Sequence, residues 1–157
     1  MPSYKWSKLN HLQLGRYAEY YVKMEFSSYG FEVYTSEVDD HGVDFVVKYK
    51  NSGFYEVQVK AVRQNNYMYI PKEKMPLSDH FLVCYLRFHD DVPPECYVFR
   101  STVWENPNGL FVYRPYENTK SKPEYGISYN KKNAPLLEPH RADLFFEQFL
   151  GENDKED

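Results

Sequence analysis

VDFVVKYK (43–50), the turn NSG (51–53) and FYEVQVKAV (54–62) form the stretch on which the reading of this chain rests. Apolar residues recur there at every second position, the period of a β-strand with one buried face. Asn51, Ser52 and Gly53 are suited to a hairpin connection between the two runs. On the second run Glu56, Gln58 and Lys60 share one face, and Tyr55, Val57, Val59 and Ala61 share the other. Like-facing strand residues stand about 7 Å apart, so a carboxylate, an amide and an amine project together. Asp44 opens the first run, just after Gly42 and Val43, and antiparallel pairing brings it within reach of Gln58 and Lys60.

Upstream, residues 10–29 follow a helical period. Gly15, Glu19, Val22 and Phe26 form one stripe, and Leu14, Ala18, Tyr21 and Val22 form an adjoining one. Asn10 is a suitable cap for the start, and Gly30 can take the left-handed stop. The first stripe places Glu19 against the sheet. A carboxylate there needs a cation, a donor or a metal, because an unpaired buried charge costs several kcal/mol. FEVYTS (31–36) alternates and supplies a strand, giving a helix-strand-strand-strand core with three antiparallel strands.

Downstream, YMYIP (67–71) reads as a fourth strand closed by Pro71, FLVCYLRF (81–88) as a central strand, CYVFR (96–100) as its neighbour, STVWENPNG as a short helix and LFVYR (110–114) as a further strand. Residues 115–135 show no clear period. A last helix is expected from near Pro139, carried by Ala142, Phe145, Phe146, Phe149 and Leu150. The fold class is therefore α/β, a mixed sheet flanked by helices, with the 10–29 helix on one face and the 140–150 helix closing the core.

The chain has 157 residues, 42% hydrophobic and 27% charged. That suits one domain, assigned to 1–151, followed by an acidic disordered tail at 152–157. Of the formal charge of −4, the tail carries −3. The domain is thus nearly neutral, and a polyanion has to be met by locally gathered bases. No apolar run approaches the roughly 18 residues of a membrane span, and the start lacks a secretory signal, so the expected location is cytoplasmic, without a membrane partner. Cys84 and Cys96 lack zinc-like spacing and are expected as reduced, buried thiols. Phosphate-loop, HExxH and GxSxG motifs are absent, which removes nucleotide-fuelled, zinc-protease and serine-hydrolase readings.

Oxygen donors from Asp44, Gln58 and Glu19 suit Mg²⁺, which takes one or two carboxylates and keeps several waters. Lys60 beside such an ion can hold an attacking water and offset charge on a phosphate. In this order, a helix acid, then Gly-Val-Asp opening a strand, then Gln-Val-Lys in the next, residues 11–63 resemble the PD-(D/E)XK nuclease superfamily. The resemblance implies a restriction-endonuclease-like fold, and hydrolysis of phosphodiester bonds in DNA with Mg²⁺ or Mn²⁺. It also implies metal ligation by Asp44, Gln58, Glu19 and the carbonyl of Val59, with Lys60 assisting the attacking water. Val43 stands where the family has proline. Gln58 stands where it has an acid, as in resolvase-like branches, and this removes one negative charge from the site.

Glu56, one pleat from Gln58, is an auxiliary carboxylate in this reading, and His41 with Asp39 and Asp40 is placed at the mouth of the site. Tyr67 and Tyr69, beside Lys72 and Lys74, are candidates to stack on bases and touch phosphate. Lys120, Lys122, Lys131 and Lys132, framing Tyr125 and Tyr129, form a candidate phosphate-contacting patch. One rival reading keeps the fold and makes the chain a catalytically lapsed module that binds DNA or a protein. Another makes it a subunit dependent on a partner. Many nucleases of the superfamily it resembles act as dimers, so the resemblance also implies a homodimer.

Overall fold

The computed structural model describes residues 2–35 and 42–154. His41, Asp39 and Asp40 lie outside the described residues. The chain is α/β: a mixed five-stranded sheet lies between a helical layer and a second, three-stranded sheet.

Helix α1 (His11–Ser28) begins at Asn10, whose side chain accepts from the Gln13 amide while the Gln13 side chain accepts from the Asn10 amide, both at 2.9 Å. This reciprocal box satisfies two donors that helix geometry leaves orphaned. Gly30, at φ +90°, turns the chain beyond the helix end at low steric cost. The buried stripe is Leu14, Ala18, Val22 and Phe26. Glu19 therefore flanks the sheet rather than facing it, a correction to the expected stripe. Both stripes share Val22 and Phe26, and the apolar Leu14–Ala18 pair wins the buried side because its burial has no charge to desolvate.

Strands β1 (Glu32–Thr35), β2 (Phe45–Lys48) and β3 (Phe54–Arg63) run antiparallel in sequence order, as their alternation requires. β3 then pairs in parallel with β5 (Phe81–Phe88), and β5 pairs antiparallel with β6 (Glu95–Arg100). Every residue of β5 is buried. Leu82, Cys84, Leu86 and Phe88 enter the core under the helices, and Phe81, Val83 and Tyr85 enter the core under the small sheet.

Helix α3 (Ala142–Asn153) covers the same face as α1: Phe146 packs edge-on against Phe26 and stacks on Tyr29. It follows a short helix α2 (Ala134–Leu137) and a 3₁₀ turn (Glu138–His140), so the last helix starts a few residues later than expected. It also takes in Glu152 and Asn153, where the sequence placed a tail. Asp154 accepts hydrogen bonds from Tyr49 at 2.6 Å and Lys50 at 2.8 Å, so the acidic end is tied down at least that far.

The opposite face is covered by β4 (Met68–Pro71), β8 (Glu124–Ile127) and β7 (Phe111–Arg114), an antiparallel sheet ordered β4-β8-β7. This corrects the single-sheet expectation and the irregular reading of 115–135. Glu124-Tyr125-Gly126-Ile127 has only four residues, one of them glycine, too short for a period to show. Tyr125 is in the core, and the half-buried Tyr129 lies over the Arg87 guanidinium at 3.5 Å. Neither ring is framed by lysines. Lys120 and Lys122 precede β8, and Lys131 and Lys132 follow it; all four are exposed, in two groups at opposite ends of the strand. Cys84 and Cys96 are unpaired thiols, and burial pushes both above the ordinary thiol value.

Candidate functional site

The β2–β3 ladder starts one residue before β2. The Asp44 amide donates to the Val57 carbonyl at 2.8 Å, and Phe45 stands opposite Val57. The next amide along β3, that of Val59, is taken by the Asp44 side chain: Oδ2 accepts from it at 2.7 Å and from Gln58 Nε2 at 3.4 Å. A short acidic side chain at this corner satisfies a donor that the shortened neighbouring strand leaves open.

The alternation of β3 then distributes the remaining groups. Gln58 is buried and Lys60 half-buried on the small-sheet side, and Val59 packs toward the helices. Gly42, at φ +75°, makes the close approach possible: a Cβ there would lie 3.0 Å from the Lys74 carbonyl and 3.3 Å from Gln58 Oε1. Burial lowers the Lys60 pKa below its ordinary 10.5; the Asp44 charge opposes this and the Lys74 ammonium adds to it. Lys60 forms no ion pair among the described residues, so its ammonium is held in a field set by one carboxylate and one cation.

From the other side, α1 contributes Glu19. Its carboxylate is 22% exposed and pairs with Lys23 at 3.1 Å, one turn along the helix. It lines a cavity of about 210 Å³ together with Asp44, Val59, Gly15, Arg16, Leu12 and His11. A Cβ on Gly15 would meet nothing within 4 Å, so this turn of the helix leaves the cavity open. Asp44, Gln58, Val59 and Lys60 are therefore brought together around the end of β2, whereas Glu19 shares its helix-side cavity with Asp44 and Val59 and not with Gln58 or Lys60. Glu56 is not part of this group: it is exposed, opposite Val46, and its amide donates to the His80 carbonyl at 2.9 Å.

Arg16, His11 and Lys74 are additional neighbours that sequence reasoning did not place here. Of these, only Lys74 figures in the sequence reading, as a base near two tyrosines. No local pattern signals that α1 and the 3₁₀ turn Lys72–Lys74 converge on the same corner.

The donor set fits a hard divalent cation: two carboxylates on one cavity, an amide beside one of them, and space for water. Among the described residues no group of three or more His, Cys, Asp or Glu side chains is arranged to hold a metal. Half a turn of the Gln58 amide would present Oε1 instead of Nε2 to the Asp44 side. A larger cavity, about 380 Å³, lies elsewhere and is lined by Glu25, Glu95, Glu138 and Asp143 with Arg141. Its negative lining disfavours a phosphate-bearing ligand.

No helix among the described residues is long and apolar enough to cross a membrane. No family model, curated protein or solved structure matches this chain.

Proposed function

We propose that this chain is a divalent-metal-dependent nuclease of the PD-(D/E)XK kind, with a restriction-endonuclease-like core, and that it hydrolyses phosphodiester bonds in DNA. The observation that carries the reading is the meeting of Asp44, Gln58 and Lys60 at the end of β2, with Glu19 on the cavity that Asp44 also lines.

Asp44, Glu19 and Gln58 would hold Mg²⁺ or Mn²⁺. The ion, when bound, supplies Lewis-acid stabilisation of charge on the phosphate and lowers the pKa of water. Asp44 is fixed for this by the Val59 amide, which holds Oδ2 and orients the carboxylate. Lys60 holds the attacking water at Nζ. Burial lowers its affinity for a proton, so it exchanges one more readily than a solvated lysine does. Arg16 and His11, on the rim of the same cavity, can receive phosphate oxygens, and this offsets the near-neutral charge of the domain where contact occurs.

Cleavage of plasmid and oligonucleotide DNA in Mn²⁺ tests the proposal. Asp44→Asn and Lys60→Met should each abolish cutting while leaving the circular dichroism spectrum unchanged. Mn²⁺ at 100 times its dissociation constant should add about 2.7 kcal/mol to wild-type stability, and this gain should be lost in Asp44→Asn. Undiminished cutting by both variants would refute the mechanism.

A second reading, a lapsed module that keeps the fold, is favoured by one specific observation: Asp44 already has a structural task in closing the β3 ladder. A lapsed site gives neither cleavage nor a Mn²⁺-dependent gain, and its Asp44→Asn variant is merely less stable.

A further inference from the structure

The outer face of the small sheet is built differently from its buried face. The register sets Tyr69, Gly126 and Val112 in one row and Pro71, Glu124 and Arg114 in the next. Tyr67, just ahead of β4, lies flat over Gly126: a Cβ there would fall 1.9 Å from its hydroxyl. That hydroxyl donates to Glu124 Oε2 at 2.7 Å, and the Arg114 guanidinium lies 4.0 Å from the ring centroid. The Tyr69 ring is nearly parallel to it, at 15° and 6.3 Å. Tyr67 is thus locked by three contacts, and Tyr69, 52% exposed, extends the aromatic surface into solvent.

Beside Tyr69 opens a cavity of about 220 Å³ lined by Pro71, Ser121, Lys122 and Glu124. It is smaller than the roughly 300–1,000 Å³ of ordinary ligand pockets and suits one flat ring system. Glu124 in its lining repels a phosphate, so a neutral heterocycle is the better occupant of the interior. Lys122, on the same lining, is exposed and paired with exposed Glu73 at 3.0 Å. An exposed pair of this kind is weakly held and readily exchanged.

We infer that this slot takes an unpaired nucleobase stacked on Tyr69, with the adjoining phosphate at Lys122, and that the DNA recognised is single-stranded or carries an unpaired segment. The inference rests on the nuclease reading for its choice of nucleic acid. A base inside a duplex presents no free face, so only an unpaired base can stack here. The slot is also close to the proposed site along the chain. From Tyr69 the backbone passes through Pro71 and the 3₁₀ turn to Lys74, whose charge bears on Lys60. Five residues span at most about 18 Å, so the slot is within a few nucleotides of Lys74.

Fluorescence anisotropy in EDTA, with labelled single-stranded and blunt duplex oligonucleotides of equal length, tests this without requiring catalysis. Wild type should prefer the single strand. Tyr69→Ala should weaken single-strand binding about 5- to 150-fold and leave duplex binding and melting temperature unchanged, since the side chain is exposed. Tyr69→Trp should retain affinity and show quenched fluorescence on binding. Single-strand affinity of Tyr69→Ala within twofold of wild type overturns the inference, and so does a preference for the duplex or a lack of single-strand binding. If Mn²⁺-dependent cleavage is absent while Tyr69-dependent binding persists, the nuclease reading fails and the slot stands. If cleavage persists while binding is insensitive to Tyr69, the slot fails and the nuclease reading stands.

Discussion

Replacing Gly126 with alanine should destabilise the protein by about 1–3 kcal/mol, although the change adds a single methyl group. The ideal Cβ would meet Tyr67 Oη at 1.9 Å, Cζ at 2.4 Å and Cε1 at 2.6 Å. The hydroxyl oxygen and two ring atoms are engaged, so a small tilt does not clear the contact. Lifting the ring breaks the hydroxyl's hydrogen bond to Glu124 and separates the ring from Arg114. Strand β8 has a partner on either side, which resists a compensating backbone shift. Gly126 is not among the glycines at positive φ, so alanine is otherwise acceptable there. In a Tyr67→Ala background the same replacement should be neutral or stabilising by about 0.4–1 kcal/mol, through the reduced freedom of the unfolded chain. Urea denaturation of wild type, both single variants and the double variant measures the coupling, expected at about 1–4 kcal/mol. In a melting curve each kcal/mol corresponds to about 2–4 °C for a chain of this size. A Gly126→Ala variant within about 0.5 kcal/mol of wild type, or a coupling indistinguishable from zero, would refute the account of how Tyr67 is seated.

Two further changes probe the site and the core. Gln58→Glu places a second acid beside Asp44, as the proposed nuclease reading would have it; without metal the two carboxylates repel and melting should fall, whereas Mn²⁺ should raise it by more than in wild type. Equal metal shifts in the two proteins would argue against Gln58 as part of an ion site. Burial raises the Tyr85 phenol to about 12, against a smaller opposing pull from Arg87, and its buried Oη makes no hydrogen bond among the described residues. Its native pKa exceeds the unfolded value of 10.0, so ionisation costs the folded state nothing below pH 10 and about 2–3 kcal/mol once pH has risen through about 12. Tyr85→Phe should match or exceed wild-type stability at pH 7 and show a shallower alkaline decline in denaturation series; an unchanged decline would show that Tyr85 does not carry it.

Much of the layout is legible in the sequence because its cues are local. Asn10 and Gln13 close a capping box within four residues, and Gly30 marks the far end of the same helix. The alternation through 43–62 sets β2 against β3, with Asp44, Gln58 and Lys60 near each other, and the continuous apolar run 81–88 becomes a strand buried on both faces. The small sheet is not legible in this way. β4 and β7 are visible as strands, but their shared partner β8 has four residues and a glycine whose role is to admit the Tyr67 ring from outside the strand. Arg16, His11 and Lys74 reach the candidate site from segments whose patterns describe only their own elements.

Glu19 shows the boundary between the two kinds of information. The 3.6-residue period admits two adjacent stripes on α1, Gly15–Glu19 and Leu14–Ala18, and both continue through Val22 and Phe26. The sequence by itself determined that this segment is an amphipathic helix, because the period and the cap are properties of neighbouring residues. Only the tertiary structure decided how far that helix is rotated on the sheet. The rotation depends on side chains far along the chain, Phe31, Phe45 and Phe146, which pack around Phe26 and bury the Leu14–Ala18 side. That rotation, a fraction of one turn, leaves Glu19 at the rim beside Asp44 instead of beneath the sheet.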